Sequence, residues 1–272
     1  MKALNYVWRV FATGVSFAAF GIGGVLLSLT LFPLARLLSP NRQAARKNIQ
    51  TIMHLSWRCF IGFMKLTGIL SWELRGGERL QQRGCLIIAN HPSLLDVVFM
   101  ISFMPEVDCI VKPAIFRNAF MRWPALWAGY IPNGEPEQLI EDCARTLREG
   151  NSLLMFPEGT RTRPGQPVSM RRGAAQIALA ADADILPVTI TVVPTTLTKG
   201  EPWYHIPPRR FHVSVSVGEP VPCARFLEGG VSRALAARHI TEHFETYFTQ
   251  SAAEQTRDVL VQQGGLYNRT HK

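Results

Sequence analysis

The sequence of residues 73–250 predicts an open α/β fold, for three reasons. Short apolar runs of strand length recur along this part of the chain, at 86–89, 107–111, 152–156 and 185–193. Segments with helical periodicity alternate with several of these runs, as expected for strands and the helices that cover them. Two of the runs end directly in polar or charged motifs, and the functional sites of open α/β sheets collect where strands end.

Residues 1–72 predict a membrane-associated region in front of this globular domain. The stretch 10–35 contains no charged residue and is long enough to span a hydrocarbon core with some tilt. A cleaved signal peptide is the alternative interpretation, but the run is too long and no small-x-small cleavage site follows before Arg36. Glycines and a proline within the stretch also permit a bent or re-entrant helix.

The charges around this stretch predict its orientation. The basic residues that follow it outweigh Lys2 and Arg9 in front of it; they are Arg36, Arg42, Arg46 and Lys47. By the positive-inside rule we expect an inner-membrane protein with its globular domain on the cytoplasmic face. A second apolar stretch, 49–72, is either an interfacial helix in the membrane plane or an ordinary amphipathic helix packed on the domain.

The composition restricts the choice of partners and cofactors. The chain is 47% hydrophobic yet carries a net charge of +9, which favours an anionic surface as partner. Long Lys/Arg runs and nucleic-acid motifs are lacking, so we expect a phospholipid membrane and no nucleic acid. The five cysteines are scattered without C-x-x-C spacing, which predicts reduced thiols and neither a disulfide frame nor a metal site.

The run 86–89 ends at Asn90-His91-Pro92, and a helical pattern follows. Asn90 is a good helix cap and proline suits the first helical turn, so we expect a strand-to-helix turn here. Asp96 lies far enough along the helix for its carboxylate to reach back to the His91 imidazole. A neutral imidazole oriented by a carboxylate can take a proton from a hydroxyl. The alternative is a surface histidine that neighbours an aspartate by chance.

A second polar motif, Pro157-Glu158-Gly159-Thr160-Arg161-Thr162, directly follows the run 152–156. Arg171 and Arg172 come next and open an alanine-rich helix that extends to residue 181. Guanidinium groups near the free N–H groups of a helix N-terminus are a natural phosphate site, so Arg161, Arg171 and Arg172 are candidates for one. A solvated basic loop is the alternative interpretation.

The remaining patterns complete the domain. They predict a strand-like segment and turn at 74–80, a helix at 135–149, a half-buried strand at 211–217 and a terminal helix at 232–248. The aromatic region 121–130 is either core or the wall of an apolar tunnel or membrane-facing patch. Residues 251–272 are polar and predict a partly disordered or loosely docked tail.

Four blocks together resemble the glycerolipid acyltransferases, and most nearly the 1-acylglycerol-3-phosphate (lysophosphatidate) acyltransferases. They are N-H-x-S-x-x-D at 90–96, F-P-E-G-T-R at 156–161, R-x-G-A at 171–174 and an apolar strand with a proline at 185–188. The blocks come in the family order. The resemblance implies a glycerol-3-phosphate acyltransferase-like fold: a mixed, mostly parallel sheet flanked by helices, with a tunnel for the acyl chain.

The resemblance also implies an activity. A fatty acyl group would pass from an acyl-CoA or acyl-ACP thioester to a hydroxyl of a lysophospholipid such as 1-acyl-sn-glycerol-3-phosphate, with no metal or other cofactor. In that scheme His91 is the general base and Asp96 orients it. The predicted substrate-binding residues are Asn90, Ser93, Lys112, Arg117, Glu158, Gly159, Thr160, Arg161 and Arg172. The expected partners are the membrane and the thioester donor, which is either acyl-CoA or a thioester of acyl carrier protein, and no oligomeric state is predicted.

One block departs from the family pattern. Members that act on glycerol phosphates carry G-x-x-F-x-x-R, whereas here the aligned residues 129–135 end in Glu135 at the arginine position. A carboxylate there would repel a phosphate. Either Arg117 or Arg122 substitutes for the missing arginine, or the acceptor is a lipid other than lysophosphatidate.

Other functions fit parts of the sequence. A thioester hydrolase on the same scaffold would use water as acceptor, and it would not need the basic cluster. A non-catalytic membrane- or nucleic-acid-binding module would use only the positive charge. A nucleophilic Cys109 or Cys143 has no activating histidine nearby in the sequence.

Overall fold

Seven strands form one sheet in this computed structural model, which describes residues 2–163 and 165–269, and side chains for 4–163 and 165–261. The strands are β1 (Leu70–Arg75), β2 (Leu86–Ala89), β3 (Asp108–Val111), β4 (Ile131–Pro132), β5 (Leu153–Met155), β6 (Ile185–Val193) and β7 (Phe211–Val217). Their order across the sheet is β1-β7-β6-β2-β5-β3-β4. All neighbours are parallel except β6 and β7, so the mixed, mostly parallel sheet is confirmed.

Helices cover both faces of the sheet. They are α1 (Lys2–Leu29), α2 (Leu31–Leu38), α3 (Arg42–Leu66), α4 (Asp96–Phe103), α5 (Arg122–Trp127), α6 (Pro136–Arg148), α7 (Gly173–Ala181) and α8 (Arg233–Arg269). Short 3-10 segments lie at Gly77–Gln81, Pro113–Arg117 and Cys223–Gly230.

The central strand β2 shows how the two cores divide. Because successive side chains of a strand point to opposite faces, Ile87 packs with α2, α3 and α4, whereas Leu86 and Ile88 pack with α6, α7 and α8. Both faces of this strand are therefore buried, as the continuous apolar run 86–89 predicts. The polar turn that follows β2 starts from a rigid position at the centre of the sheet.

The N-terminal helices pack on the domain. The stretch Leu4–Leu38 is, among the described residues, the one segment long and apolar enough to cross a membrane. It is interrupted at Thr30, which separates α1 from α2. The second apolar stretch forms α3, whose Ile49, Met53 and Ile61 are buried in the core. Of the two interpretations of 49–72, the packed amphipathic helix agrees with these contacts.

Both predicted boundaries fall inside secondary structure. Residue 72 lies within β1, which pairs with β7, so the sheet begins before the expected domain start. Residue 250 lies within α8, and the expected loose tail is wrong for its first part. Gln255 donates a hydrogen bond to Ser216 of β7, and Val259 is buried, because this part of the helix covers the sheet. Residues 270–272 of that tail lie outside the described part of the chain.

Candidate active site

The turn after β2 brings a histidine and a carboxylate into contact. The Nδ1 atom of His91 lies 2.7 Å from Oδ2 of Asp96. Asp96 is fully buried, whereas the side chain of His91 keeps 18% of its surface exposed. The imidazole also stacks on Phe156 of the second motif, with ring centroids 4.4 Å apart. The pair thus has the geometry of an oriented base with an accessible ring edge.

The surroundings of Asp96 act on the pKa of its carboxyl group in opposite directions. Burial raises the pKa of Asp96, and the hydrogen bond from His91 opposes this rise. The backbone N–H of Ser93 donates a second hydrogen bond to Oδ2, at 2.7 Å. Both contacts share the same oxygen. Because an ionised carboxylate only accepts hydrogen bonds, an ionised Asp96 requires the proton on Nδ1 of His91 and leaves Nε2 as the free nitrogen.

The helix after this turn starts later than the sequence suggests. It begins at Asp96, not at Pro92, and Asn90 does not cap it. Asn90 is buried and bonds to the backbone of Ile190 twice, donating from Nδ2 to the carbonyl and accepting the N–H at Oδ1. Its side chain therefore ties the turn to β6, and these contacts give no support to the predicted substrate-binding role of Asn90.

Ser93 is also part of the scaffold. Its side chain is buried, and its Oγ accepts the N–H of Leu95 at 3.3 Å. These contacts give no support to the predicted substrate-binding role of Ser93. The residue contributes through its backbone N–H, which holds Asp96.

The second motif is joined directly to the first. Glu158 accepts the backbone N–H of His91 at 2.7 Å through Oε1, and it accepts the hydroxyl of Thr162 through Oε2. The N–H of Thr162 in turn donates to the carbonyl of His91 at 3.0 Å. Burial raises the pKa of Glu158 to about 7, despite the hydrogen bond from His91. The carboxylate of Glu158 thus fixes the backbone of the histidine turn.

A basic cavity of about 450 Å³ opens beside this carboxylate. Four cationic side chains line it together with Thr160: Arg161, Arg163, Arg171 and Lys199. Gly159 has a φ of +68°, and a Cβ there would lie 2.9 Å from Nε of Arg171, so glycine permits the arginine to approach. Such a group of guanidinium and ammonium groups suits a phosphate.

The other predicted binding residues lie at different distances from this cavity. Lys112 is close to it: burial lowers the pKa of Lys112, and the charges of Lys199 and Arg161 lower it further. Arg117 is exposed at the end of the 3-10 segment after β3 and does not line the cavity. Glu135 is exposed in front of α6 and does not line it either.

The neighbouring arginines 171 and 172 differ. Arg171 lines the cavity, whereas Arg172 lies near Glu242 of α8. A hydrogen bond from Arg238 lowers the pKa of Glu242, and the charge of Arg172 adds a smaller lowering. The structure thus favours Arg171 over Arg172 as the arginine at the site.

Sequence reasoning missed Lys199 and the hydroxyl of Thr162. Lys199 follows β6 in a loop whose local sequence carries no motif, and only the fold brings it to the cavity. Thr162 directly follows the recognised block, so its place in the sequence could have marked it. Cys109 and Cys143 are buried, which raises the pKa of each thiol to about 12 and disfavours a nucleophilic thiolate.

Residues 71–191 match the model of the Acyltransferase family. The chain contains an acyltransferase domain. The family resemblance of the four sequence blocks is thereby confirmed. The acyltransferase domain includes the His91 turn, the Glu158 motif and strands β2 to β5.

Several curated relatives of the acyltransferase domain are named 1-acyl-sn-glycerol-3-phosphate acyltransferase. The protein of that name from Pseudomonas aeruginosa is 26% identical over 137 residues, which are 48% of this chain and 53% of the relative. The human beta protein is 27% identical over 170 residues, which are 60% of each chain. The chain spans about half the length of the curated relatives it matches.

A solved structure extends the likeness beyond this domain. The crystal structure of the 1-acyl-sn-glycerophosphate (LPA) acyltransferase PlsC from Thermotoga maritima matches with a TM-score of 0.68. The match covers 93% of this chain and 97% of that chain, at 18% sequence identity. At this identity the likeness concerns the fold, and the predicted acyltransferase-like fold is confirmed.

Proposed function

We propose that the protein transfers a fatty acyl group from an acyl-CoA or acyl-ACP thioester to a hydroxyl of a lysophospholipid such as 1-acyl-sn-glycerol-3-phosphate. The observation that carries the proposal is the His91–Asp96 pair, 2.7 Å apart, joined through Glu158 to a cavity lined by cationic side chains. An oriented base beside a phosphate-binding cavity is what this reaction requires. The names of the curated relatives support the same acceptor.

The proposed mechanism has one proton shuttle. Nε2 of His91 takes the proton of the acceptor hydroxyl as its oxygen attacks the thioester carbonyl carbon. The C–S bond then breaks, and the leaving thiolate takes the proton back from the imidazolium. Asp96 keeps Nδ1 protonated and stabilises the imidazolium. The reaction balances without a metal, a cofactor or a covalent intermediate on the protein.

We propose that the acceptor phosphate lies in the basic cavity, against Arg161, Arg171 and Lys199. These cations supply the positive charge that the family pattern places at the position of Glu135. The thioester hydrolase is less well supported, because water as acceptor would have no use for this charge. A lipid acceptor with a different anionic headgroup remains the alternative within the same reaction.

We propose that the protein acts at the cytoplasmic face of the inner membrane. Exposed apolar side chains on the N-terminal helices support a lipid contact: Leu4, Val7, Phe11, Val15, Ile22, Leu26, Leu29, Leu31, Leu34, Leu37 and Leu38. The opposite side of α1 packs on the domain along its length, through Gly14, Phe20 and Gly24. A helix held in this way favours a position in the plane of one leaflet.

The test of the reaction uses a radiolabelled acyl thioester with and without lysophosphatidate. We expect label in the diacyl product only when the acceptor is present, and His91→Ala should lower this transfer by about 10²–10⁴-fold. Membrane association of the variant should be unchanged, because the base and the N-terminal helices are separate elements. Equal release of free fatty acid with and without acceptor would establish hydrolysis instead, and transfer above a few per cent in the variant would exclude His91 as the base.

Two neighbouring arginines provide a matched pair of variants that tests the proposed phosphate site. Arg171→Ala should raise the KM for lysophosphatidate about tenfold, since a charge-assisted hydrogen bond is worth about 1.5–3 kcal/mol. Arg172→Ala removes the same group one residue later, outside the cavity, and should leave this KM unchanged. Equal effects of the two substitutions would contradict the placement of the phosphate. Transfer only to lysolipids with other headgroups would identify a different acceptor.

A further inference from the structure

The connection between β6 and β7 contacts the candidate active site through one residue. The carbonyl oxygen of Leu197 accepts the N–H of Leu94 at 3.2 Å and Nη1 of Arg161 at 2.7 Å. The same guanidinium nitrogen donates to the carbonyl of Thr198 at 3.0 Å. Leu94 belongs to the turn between His91 and Asp96, and Arg161 lines the basic cavity. The backbone at Leu197 therefore holds both halves of the site.

The side chain of Leu197 lies on the other side of this connection. It is only 5% exposed and lines a small apolar slot together with Thr13 of α1, Met64 of α3 and Trp203. Leu197 has a φ of +53°, in the left-handed region that leucine adopts at a cost of about 1–2 kcal/mol. Packing in the slot stabilises this conformation of Leu197 and thereby keeps its carbonyl turned toward the site.

The helix α1 forms the outer wall of that slot and contacts the β6–β7 connection at two places. Arg9 donates from Nη1 to the carbonyl of Pro207 at 3.0 Å and from Nη2 to that of Pro208 at 2.7 Å. The indole of Trp203 packs against Phe17, with ring centroids 5.7 Å apart. A Cβ at Gly14 would lie 3.3 Å from the same indole. The helix that carries the lipid-facing side chains is thus in direct contact with the connection.

We propose that Leu197 is a positioning residue that couples the docking of α1 to the orientation of Arg161 and of the His91 turn. When α1 is packed against the β6–β7 connection, the slot holds the Leu197 side chain, and the carbonyl of Leu197 fixes Leu94 and Arg161. When α1 is displaced, the slot opens, the left-handed conformation loses its support, and both hydrogen bonds to the carbonyl weaken. Acceptor binding is then strongest in molecules whose α1 is packed on the β6–β7 connection while its exposed apolar side contacts the membrane.

The coupling can be tested with two exposed tryptophans of the full-length chain. Trp203→Ala removes the contact with α1 without touching the site, whereas Trp123→Ala removes a similarly exposed tryptophan of α5; the two are 43% and 49% exposed. We expect Trp203→Ala to speed hydrogen exchange at the Leu94 amide about tenfold, and Trp123→Ala to leave it unchanged. Equal exchange in both variants and the unaltered chain would overturn the proposal.

A second variant covers the case in which Trp203→Ala does not fold. Leu197→Gly keeps the carbonyl and adopts a positive φ without strain, but it removes the side chain from the slot. It should accelerate Leu94 exchange in the same way. It should also raise the KM for lysophosphatidate about tenfold, through Arg161, and lower kcat, through the His91 turn. Unchanged exchange in this variant would also overturn the proposal.

The measurement of the KM for lysophosphatidate rests on the proposed function, whereas the measurement of hydrogen exchange does not. If the unaltered chain transfers no acyl group to lysophosphatidate, the acceptor assignment fails. The exchange of Leu94 still decides the coupling in that case. Transfer to lysophosphatidate with unchanged Leu94 exchange would leave the reaction standing and refute the role of Leu197.

Discussion

Two buried aspartates of this protein have nearly the same local geometry. Asp96 accepts two hydrogen bonds of 2.7 Å at Oδ2, from His91 and from the backbone of Ser93. Asp108 accepts two hydrogen bonds of 2.7 Å at Oδ1, from Arg46 and Gln50. In each case the second carboxylate oxygen is buried without a partner among the described residues. Burial raises the pKa of both carboxyl groups.

The partners of the two aspartates differ. Asp96 belongs to the candidate active site, whereas Asp108 and Arg46 form a structural ion pair, called the clamp below. Arg46 also donates to the carbonyls of Ala128 and Gly129, so its guanidinium ties α3 to the end of α5 and to β3. An arginine cannot give up its proton in a protein. His91 can exchange a proton, and within the described part of the chain no hydrogen bond engages its Nε2. Burial and a short ion pair alone therefore do not identify a catalytic carboxylate; the free, titratable atom of the partner does.

The largest effect should come from Asp96→Asn. The amide can donate to Nδ1 of His91, which favours the wrong tautomer, so we expect turnover to fall about 10³-fold. The free energy of unfolding should change by about 1–2 kcal/mol, since the shape of the side chain is kept. The measurements are acyl transfer at saturating substrates and urea unfolding. Turnover within tenfold of the unaltered chain would remove Asp96 from the proposed mechanism.

The matching change at the clamp should have the opposite profile. Asp108→Asn leaves the Arg46 charge without its carboxylate, and we expect the free energy of unfolding to fall by about 2–3 kcal/mol. The value is below that of a fully buried pair because the Arg46 side chain is 32% exposed. Transfer per folded molecule should stay within about twofold of the unaltered chain, because the clamp contacts no site residue. A loss of turnover at full stability would show that the two aspartates do not differ as proposed.

The sequence predicted the His91–Asp96 pair better than the surroundings of that pair. The strand 86–89 and the following breaker place both residues at one strand end, and that information is local. The role of Asn90 is not local, since its amide bonds to Ile190, which lies far along the chain. A polar residue in a motif was therefore assigned to substrate, although the fold uses it as a strand connector.

The strands show the same limit. The continuous apolar runs gave β2 and β6 with the correct bounds, and the alternating pattern gave β7, because burial on one or both faces is encoded in the residues themselves. The sequence did not reveal that the helix starting near 232 continues past residue 250. Its later part is polar, and it is held by contacts with β7 such as Gln255 to Ser216. Lys199 was missed for the same reason, since only the path of the chain after β6 brings it to the cavity.

The smallest effect concerns a third buried carboxylate, Glu158, which bonds through both oxygens. Its ordinary pKa of 4.5 is raised to about 7 in the folded state, mainly by burial. Between these two values the folded state binds more protons than the unfolded state, so the Glu158 contribution to stability falls as pH rises from 4.5 to 7. We expect Glu158→Gln to remove up to about 3 kcal/mol of this pH dependence.

The measurement is urea unfolding at several pH values in that window, compared between Glu158→Gln and the unaltered chain. Other titratable groups are present in both proteins, so the difference between the two curves isolates Glu158. Trp123→Ala is the control, because it keeps Glu158, removes no titratable group and should keep the slope of the unaltered chain. Identical slopes for Glu158→Gln and the unaltered chain would mean that Glu158 stays ionised throughout, and that its two hydrogen bonds outweigh its burial.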